Sequence, residues 1–346
     1  MRVGIVGFPG CGKSTVFQAL APGAPGSKGG VTYGNIKVPD ERVDALAKIF
    51  NPKKTTFAEI TFLDVSETGK AAKGAFSPEV IQEMRNADVL VHVVRAFDNP
   101  MLGEPIDPQA EVQAFDDEIL LIDMALLERA VERMIKEQKK GLPLDVRKKC
   151  LEHLEGGEPL RNLELTAEEE AELSAVQLLS RSPLVRVFNL SEETWEDPEY
   201  ASLKPLKGPE GNAVSLGLCA AIESEIAQLE TPEEQAEFLE SLGLEAPAKI
   251  AFVKAAYQLL DLISFLTSGE DECRAWSIAR GTIARAAAGK IHSDIERGFI
   301  RAEVYRLEDL LEAGTEAALK KAGKMRLEGK EYVVQDGDVM HFRFNV

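Results

Sequence analysis

The stretch Gly7-Phe8-Pro9-Gly10-Cys11-Gly12-Lys13-Ser14-Thr15 has the form G-x-x-x-x-G-K-[ST], the pattern of a phosphate-binding loop. Arg2-Val3-Gly4-Ile5-Val6 before it reads as a short apolar strand, and Thr15-Val16-Phe17-Gln18-Ala19-Leu20 after it reads as the opening of a helix. That strand, loop and helix context separates the motif from a glycine turn with no ligand. Gly7 and Gly12 let the backbone turn tightly and bring its N–H groups onto phosphate oxygens. The helix N-terminus adds partial positive charge at the same place. Lys13 is placed to reach the β- and γ-phosphates of a nucleotide, and the Ser14 hydroxyl to hold Mg²⁺. Phe8, Pro9, Gly10, Cys11 and Thr15 complete the residues expected around the phosphates. Lys13 is then the residue that stabilises charge in any hydrolysis.

The composition narrows what surrounds this loop. A chain of 346 residues with 45% hydrophobic residues has room for two or three domains with real cores. A net charge of −18 argues against wrapping a long phosphate backbone, so DNA is not an expected partner. One local basic patch remains compatible with it. The four cysteines (Cys11, Cys150, Cys219, Cys273) are far apart and form no C-x-x-C, which suits reduced thiols in the cytoplasm. The N-terminus reads as a buried strand rather than a signal peptide. No stretch reaches about 18 apolar residues, so no membrane span is expected.

Along the chain, 21–30 reads as a loop, 33–38 as a strand and 43–50 as a helix. The segment 59–65 reads as a strand with Asp64 at its C-terminal end, where a P-loop fold keeps the acid beside its metal. Residues 87–97 (ADVLVHVVRAF) form a nearly continuous apolar run, as expected of a parallel strand covered on both faces. His92 within it reads as a core histidine. Leu120, Met124, Leu127, Val131 and Met134 are spaced 4, 3, 4, 3, the seam of a helical hairpin or short coiled coil. A second helix is expected over 145–154. Thr166 with Glu169 is a capping-box signature, opening a third helix that runs to 179. Residues 115–181 are thus read as a helical insertion whose many acids form a solvated face. Strands resume over 184–190 and 213–220. From 262 a small α+β domain is expected, with strands over 275–278, 299–305, 332–334 and 339–344 and a turn at Asp336-Gly337-Asp338. The domains expected are 1–114 and 182–261 (P-loop unit), 115–181 (helical) and 262–346 (C-terminal).

At this point the sequence resembles the Obg-like ATPases, the YchF family of TRAFAC-class P-loop NTPases. The resemblance spans nearly the whole chain. It rests on the P-loop, on Pro39-Asp40 with Arg42, and on Val91-His92-Val93-Val94-Arg95. It rests most specifically on Cys219-Ala220-Ala221-Ile222-Glu223, Arg274-Ala275-Trp276, Gly298-Phe299-Ile300-Arg301-Ala302 and the run from Val334 to Phe344. It implies an α/β Ras-like G domain interrupted by a helical domain and ending in a TGS domain of β-grasp type. Many GTPases carry Asn-Lys-x-Asp, whose Asp accepts two hydrogen bonds from guanine. The matching place here reads Asn189-Leu190-Ser191-Glu192. The family has Asn-x-x-Glu there and favours ATP. A lost bidentate contact is worth about 1–3 kcal/mol by analogy with base readout. By this resemblance Asn189, Leu190 and Glu192, with Cys219 and Ala220, line the base side of the site, and ATP is preferred over GTP.

The sequence departs from the family near the γ-phosphate. Gly10 stands where the family has an asparagine associated with potassium, so potassium stimulation is not expected. Asp64-Val65-Ser66-Glu67 replaces the family's D-x-A-G. A Glu67 carboxylate about 5 Å from a γ-phosphate would cost on the order of 3 kcal/mol at an effective dielectric near 20. Glu67 therefore either turns away, or contacts the metal, or orients the attacking water as a catalytic base. The family's loop histidine is also missing: 98–107 contains none.

The expected function is a Mg²⁺-dependent ATPase, slow without a partner. By resemblance that partner is the ribosome or structured RNA, clamped by the helical and TGS domains. Ser14 and Asp64 are the expected metal ligands. Lys320, Lys321, Lys324, Arg326 and Lys330 cluster in the C-terminal domain, as either an RNA-facing patch or a solvated helix and turn. Two rival functions stand beside this one. The first is an ATP-gated binding module with little hydrolysis, favoured by the altered switch and the missing histidine. The second is a small-molecule kinase, against which the TGS-like end argues.

Overall fold

The longest apolar run forms strand β5 (Val89–Ala96), and all eight of its residues are buried. A strand buried on both faces needs a neighbour on each edge and helices above and below. β1 (Arg2–Val6) pairs with one edge and β6 (Leu184–Leu190) with the other, both parallel. β4 (Glu59–Val65) pairs parallel with β1, and β8 (Ala213–Leu218) pairs parallel with β6. β2 (Val31–Lys37) and β7 (Lys207–Glu210) close the edges, giving the order β2-β4-β1-β5-β6-β8-β7. The C-terminal ends of five parallel strands therefore open at one edge, where ligand crevices of such sheets lie. This computed structural model describes residues 1–22, 31–65, 76–210, 213–229, 231–244 and 246–345.

Helices α1 (Lys13–Leu20), α3 (Pro78–Arg85), α7 (Glu192–Glu196), α8 (Ala220–Ile226), α9 (Pro232–Ser241) and α10 (Ala248–Leu259) belong to this unit. So do α4 (Pro108–Lys136), α5 (Leu142–Glu155) and α6 (Ala167–Leu173), the expected helical insertion. The seam residues Leu120, Leu127, Val131 and Met134 are buried, as their spacing demands. α4 starts before the expected residue 115. The Asp107 side chain accepts from Ala110 N and Pro108 sits in the first turn, a strong N-terminal signal that the heptad pattern did not contain. The Thr166–Glu169 capping box is present, but α6 stops at Leu173 rather than at 179. At its end Ser174 Oγ donates to Ala171 O (2.7 Å), and further on the chain turns on a residue of α4. Asp123, fully buried, accepts from the amides of Leu179 (3.0 Å) and Ser180 (2.7 Å) and bends the chain into a 3₁₀ turn, Leu179–Arg181, leading into β6.

His92 is a core residue, as expected. It is fully buried, and its ring stacks on Phe115 at 3.9 Å. Burial holds its pKa well below 6.5, and the Arg186, Arg161 and Lys13 charges push the same way, so the imidazole is neutral. Arg161 and Arg186 share the carboxylate of Asp116 nearby.

The second unit takes residues 37–60 together with the chain from Leu260 onward. Its sheet has the order β12-β11-β13-β9-β10-β3. The strands are β3 (Lys54–Thr56), β9 (Leu262–Thr267), β10 (Glu272–Ala279), β11 (Phe299–Arg306), β12 (Arg326–Glu328) and β13 (Asp338–Phe344). Its helices are α2 (Glu41–Phe50), α11 (Ala284–Ile291), α12 (Ser293–Arg297), α13 (Leu307–Ala313) and α14 (Glu316–Lys321). Ala284, Ala287 and Ala288 of α11 pack on Phe265, Ile278, Val304 and Met340, a β-grasp core. Two expectations change here. Residues 332–334 are not a strand of this sheet, because their hydrogen bonds go to the turn at Thr282 and Ala284. Residues 37–60 group with this unit rather than with 1–114. β3 pairs with β10, and Arg42 bonds both Asp40 (2.8 Å) and Asp336 (3.0 Å). The Pro39-Asp40 and Asp336-Gly337 motifs are therefore two halves of one structural contact, 294 residues apart in sequence.

Candidate functional site

β1 ends at Val6, and the loop from Gly7 carries the chain into α1 at the open edge of the sheet. Gly12 caps α1 with φ +88°, and a Cβ there would drive into the Asn189 amide. No side chain caps α1, and its first turn holds no acid. Its first amides are thus left for an anion, which the helix dipole also favours. Lys13 Nζ donates to the carbonyls of Gly7 (2.7 Å) and Phe8 (3.2 Å), which arches the lysine over its own loop. Ser14 Oγ donates to Asp64 Oδ2 at 3.2 Å. Asp64 is 3% exposed, and the parallel register sets it beside Ile5 of β1. Burial pushes the Cys11 thiol up to about 11, against the pull of Lys13, so it packs as a neutral thiol.

Asn189 joins three segments at the end of β6. Its Nδ2 donates to Cys11 O (3.1 Å), and its Oδ1 accepts from Ala220 N (3.2 Å). Cys219 is buried at the N-cap of α8, and Leu190 is buried behind Asn189. Ser191 and Thr194 form a capping box on α7, and Thr194 Oγ1 also donates to Ala96 O (2.8 Å), tying α7 to the end of β5. Phe8 stacks on Phe76 at 5.8 Å, while Pro9, Gly10 and Thr15 face solvent.

The structure thus brings Gly12, Lys13, Ser14, Asp64, Cys11, Asn189 and Ala220 together. Glu192, expected on the base side, is an exposed residue in the first turn of α7. Glu67 and the glycines that follow it, Gly69 and Gly74, lie outside the described residues, as do 23–30 of the first loop. The basic cluster is mostly neutralised. Lys320 pairs with Glu303, Lys324 with Asp309 and Glu312, Arg326 with Glu328 and Asp338, and Lys330 with Glu331. Among the described residues only Lys321 of the five makes no ion pair. Sequence reasoning missed Arg95, Asn99, Glu111 and Thr194. A signal for the first existed: an arginine inside an apolar strand must be buried with partners.

The sequence is 39% identical over 366 aligned residues to the Bacillus subtilis (strain 168) protein named "Ribosome-binding ATPase YchF", covering 100% of both chains. The chain belongs to the YchF family. The Escherichia coli O157:H7 protein of the same name is 38% identical over 368 residues, covering 100% of this chain and 99% of that one. The family model YchF-GTPase_C, described as a protein of unknown function (DUF933), matches residues 262–345. Among solved structures, the Schizosaccharomyces pombe YchF GTPase superposes with a TM-score of 0.88 at 28% identity, covering 99% of this chain and 97% of that one. A GTP-binding protein from Pyrococcus horikoshii OT3, 19% identical, shares the fold at a TM-score of 0.60, covering 100% of both chains. No helix among the described residues is long and apolar enough to cross a membrane.

Proposed function

We propose that this chain binds ATP at the P-loop, hydrolyses it slowly, and couples the cycle to the ribosome. The observation that carries this is the juxtaposition of Lys13, Ser14 and Asp64 at an uncapped helix N-terminus. A lysine held by loop carbonyls can exchange them for phosphate oxygens at little cost. Ser14 and Asp64 supply hard oxygen donors side by side, which suits magnesium. Magnesium takes one or two protein ligands and completes its shell with water and phosphate. When bound, the ion offsets phosphate charge, and Ser14 and Asp64 are the residues that hold it. Glu67 is proposed to orient the attacking water. The names of the bacterial relatives support the ATPase and the ribosome as partner, and a ribosome-bound protein works in the cytoplasm.

The relatives' names differ over the base, ATPase in the bacterial proteins and GTPase in the yeast structure. The sequence favours ATP. Asn189 is already committed to Cys11 and Ala220, and Glu192 stands where guanine recognition uses an aspartate. Binding of a fluorescent ATP analogue, with and without Mg²⁺ and in competition with ATP and GTP, tests the proposal. ATP should compete more tightly than GTP, and Lys13→Ala should weaken binding by about 100-fold or more. Tighter GTP competition overturns the base assignment. A loss in Lys13→Ala of less than about threefold overturns the site. A second function, an ATP-gated binding module with little turnover, is favoured by the loop 98–107, which carries no histidine. Tight ATP binding without phosphate release is its signature.

A further inference from the structure

Arg95 lies near the end of β5, carries a full charge, and is 3% exposed. Everything around it is arranged to hold one loop. Its Nε donates to Glu111 Oε1 (3.1 Å), and its backbone N–H donates to Glu111 Oε2 (2.8 Å). Its Nη1 donates to the carbonyls of Phe97 (3.2 Å) and Glu104 (3.5 Å), and Nη2 to that of Pro105 (2.8 Å). The segment from Phe97 to Pro105 is therefore folded around a buried guanidinium. A charge is buried at this cost only when its donors are met, and here the loop meets them.

That loop presses on the P-loop. Asn99 Nδ2 donates to Gly10 O at 3.1 Å. The asparagine is fixed by its own turn, accepting from Met101 N at Oδ1 (3.2 Å) and from Leu102 N at its carbonyl (3.0 Å). Gly10 has φ +81°, and a Cβ there would meet Leu102 at 2.9 Å and Asn99 at 3.0 Å. Only glycine lets the two loops come this close.

The consequence follows from peptide planarity. In a trans peptide the carbonyl of one residue and the N–H of the next point in opposite directions. A hydrogen bond holding Gly10 O on one side thus aims Cys11 N–H to the other, where it meets Phe8 O at 3.3 Å inside the loop. Asn189 does the same for the next plane. By holding Cys11 O it aims Gly12 N–H. Two asparagines, one from the β5 loop and one from β6, set two consecutive peptide planes of the phosphate cradle.

We propose that Asn99 is a positioning residue for the phosphate-binding amides, held against the P-loop by Arg95 and Glu111. It fixes the Gly10–Cys11 peptide plane, whose N–H donates to Phe8 O, so it acts on a nucleotide's phosphates through the shape of the loop and does not itself touch them. This rests on the assignment of the P-loop as a nucleotide site. Asn99→Ala removes two side-chain hydrogen bonds at a half-buried surface loop, one to Gly10 O and one from Met101 N, so the apo protein should lose no more than a few °C in melting temperature. Its Kd for ATP and for ADP should rise about fivefold, the worth of one net hydrogen bond. In the nucleotide-free ¹⁵N–¹H spectrum the Cys11 amide resonance should move. Arg95→Lys keeps the charge but not the fork of donors, so it should weaken nucleotide binding in the same direction, with some loss of stability. An unmoved Cys11 amide with unchanged ATP affinity in Asn99→Ala overturns the proposal. Wild-type protein that binds no ATP at all overturns the nucleotide assignment itself, and the two failures are told apart by that control.

Discussion

Two sets of basic side chains in this molecule look alike in sequence and differ in structure. Among the described residues, Lys13 at the P-loop holds only the carbonyls of its own loop, beside a helix end with no acid in its first turn. The cluster from Lys320 to Lys330 is the denser run of positive charge. Yet Glu303, Asp309, Glu312 and Asp338 come to it from neighbouring strands and a helix, and Glu328 and Glu331 stand in and beside the run itself. A ligand's charge is recognised by donors that have no carboxylate already, not by the number of lysines in a stretch. Lys13 is uncommitted in that sense and the C-terminal cluster is committed. Arg95 is a third case, committed wholly to backbone and to Glu111, where the charge builds structure.

The sharpest way to break this contrast is to remove the uncommitted charge. Lys13→Ala should weaken ATP binding by about 100-fold or more, since charge-assisted bonds to phosphate contribute about 1.5–3 kcal/mol each. Equilibrium titration reads this directly, and a loss below about threefold would place the phosphates elsewhere. Next in size is Asp64→Asn. It keeps the shape and removes the charge that magnesium needs, so the Mg²⁺-dependent part of ATP affinity should fall about tenfold while Mg²⁺-free binding stays unchanged.

A smaller effect belongs to the committed core near His92. Its folded pKa lies below the ordinary 6.5 because of burial and the Arg186 and Arg161 charges. The unfolded chain therefore takes up the proton first. Stability is complete above pH 6.5 and is lost as pH falls through the window below it. Between pH 6.5 and 5.5 this one group should remove about 1 kcal/mol of stability, measured by denaturant unfolding at each pH. His92→Phe should flatten that slope. A slope unchanged by the substitution would show that another group titrates there. Smallest of all, changing Lys320, Lys324 and Lys330 together to alanine should alter ribosome binding less than twofold, because those charges are already paired and exposed pairs contribute little. A tenfold loss in a cosedimentation assay would show that the pairs open for the partner.

The parts of the fold that a local pattern encodes were legible in the sequence. The P-loop, the buried run at β5, the Asp64 strand end, the heptad seam of α4 and the Thr166 capping box all follow from residues within one element. What escaped depends on residues far apart in the chain. Asp123 reads as one more solvated acid on a helix until its partners at Leu179 and Ser180 are known. Arg42 and Asp336 sit 294 residues apart, so nothing local assigns 37–60 to the C-terminal unit. The site divides in the same way. Lys13 and Ser14 belong to a motif, and Asn189 to a resemblance. Asn99 belongs to neither, because its role depends on a carbonyl 89 residues earlier in the chain. The pairing of Lys320, Lys324 and Arg326 with Glu303, Asp309, Glu312 and Asp338 is a tertiary fact as well.

The charge of Lys13 at the P-loop is proposed to serve ATP hydrolysis coupled to the ribosome. Single-turnover phosphate release from bound ATP, followed with and without ribosomes, is the decisive test. Slow release that the ribosome accelerates, and that Lys13→Ala abolishes, is the expected result. Tight ATP binding with no release in either condition would contradict the enzyme assignment and leave an ATP-gated binding protein.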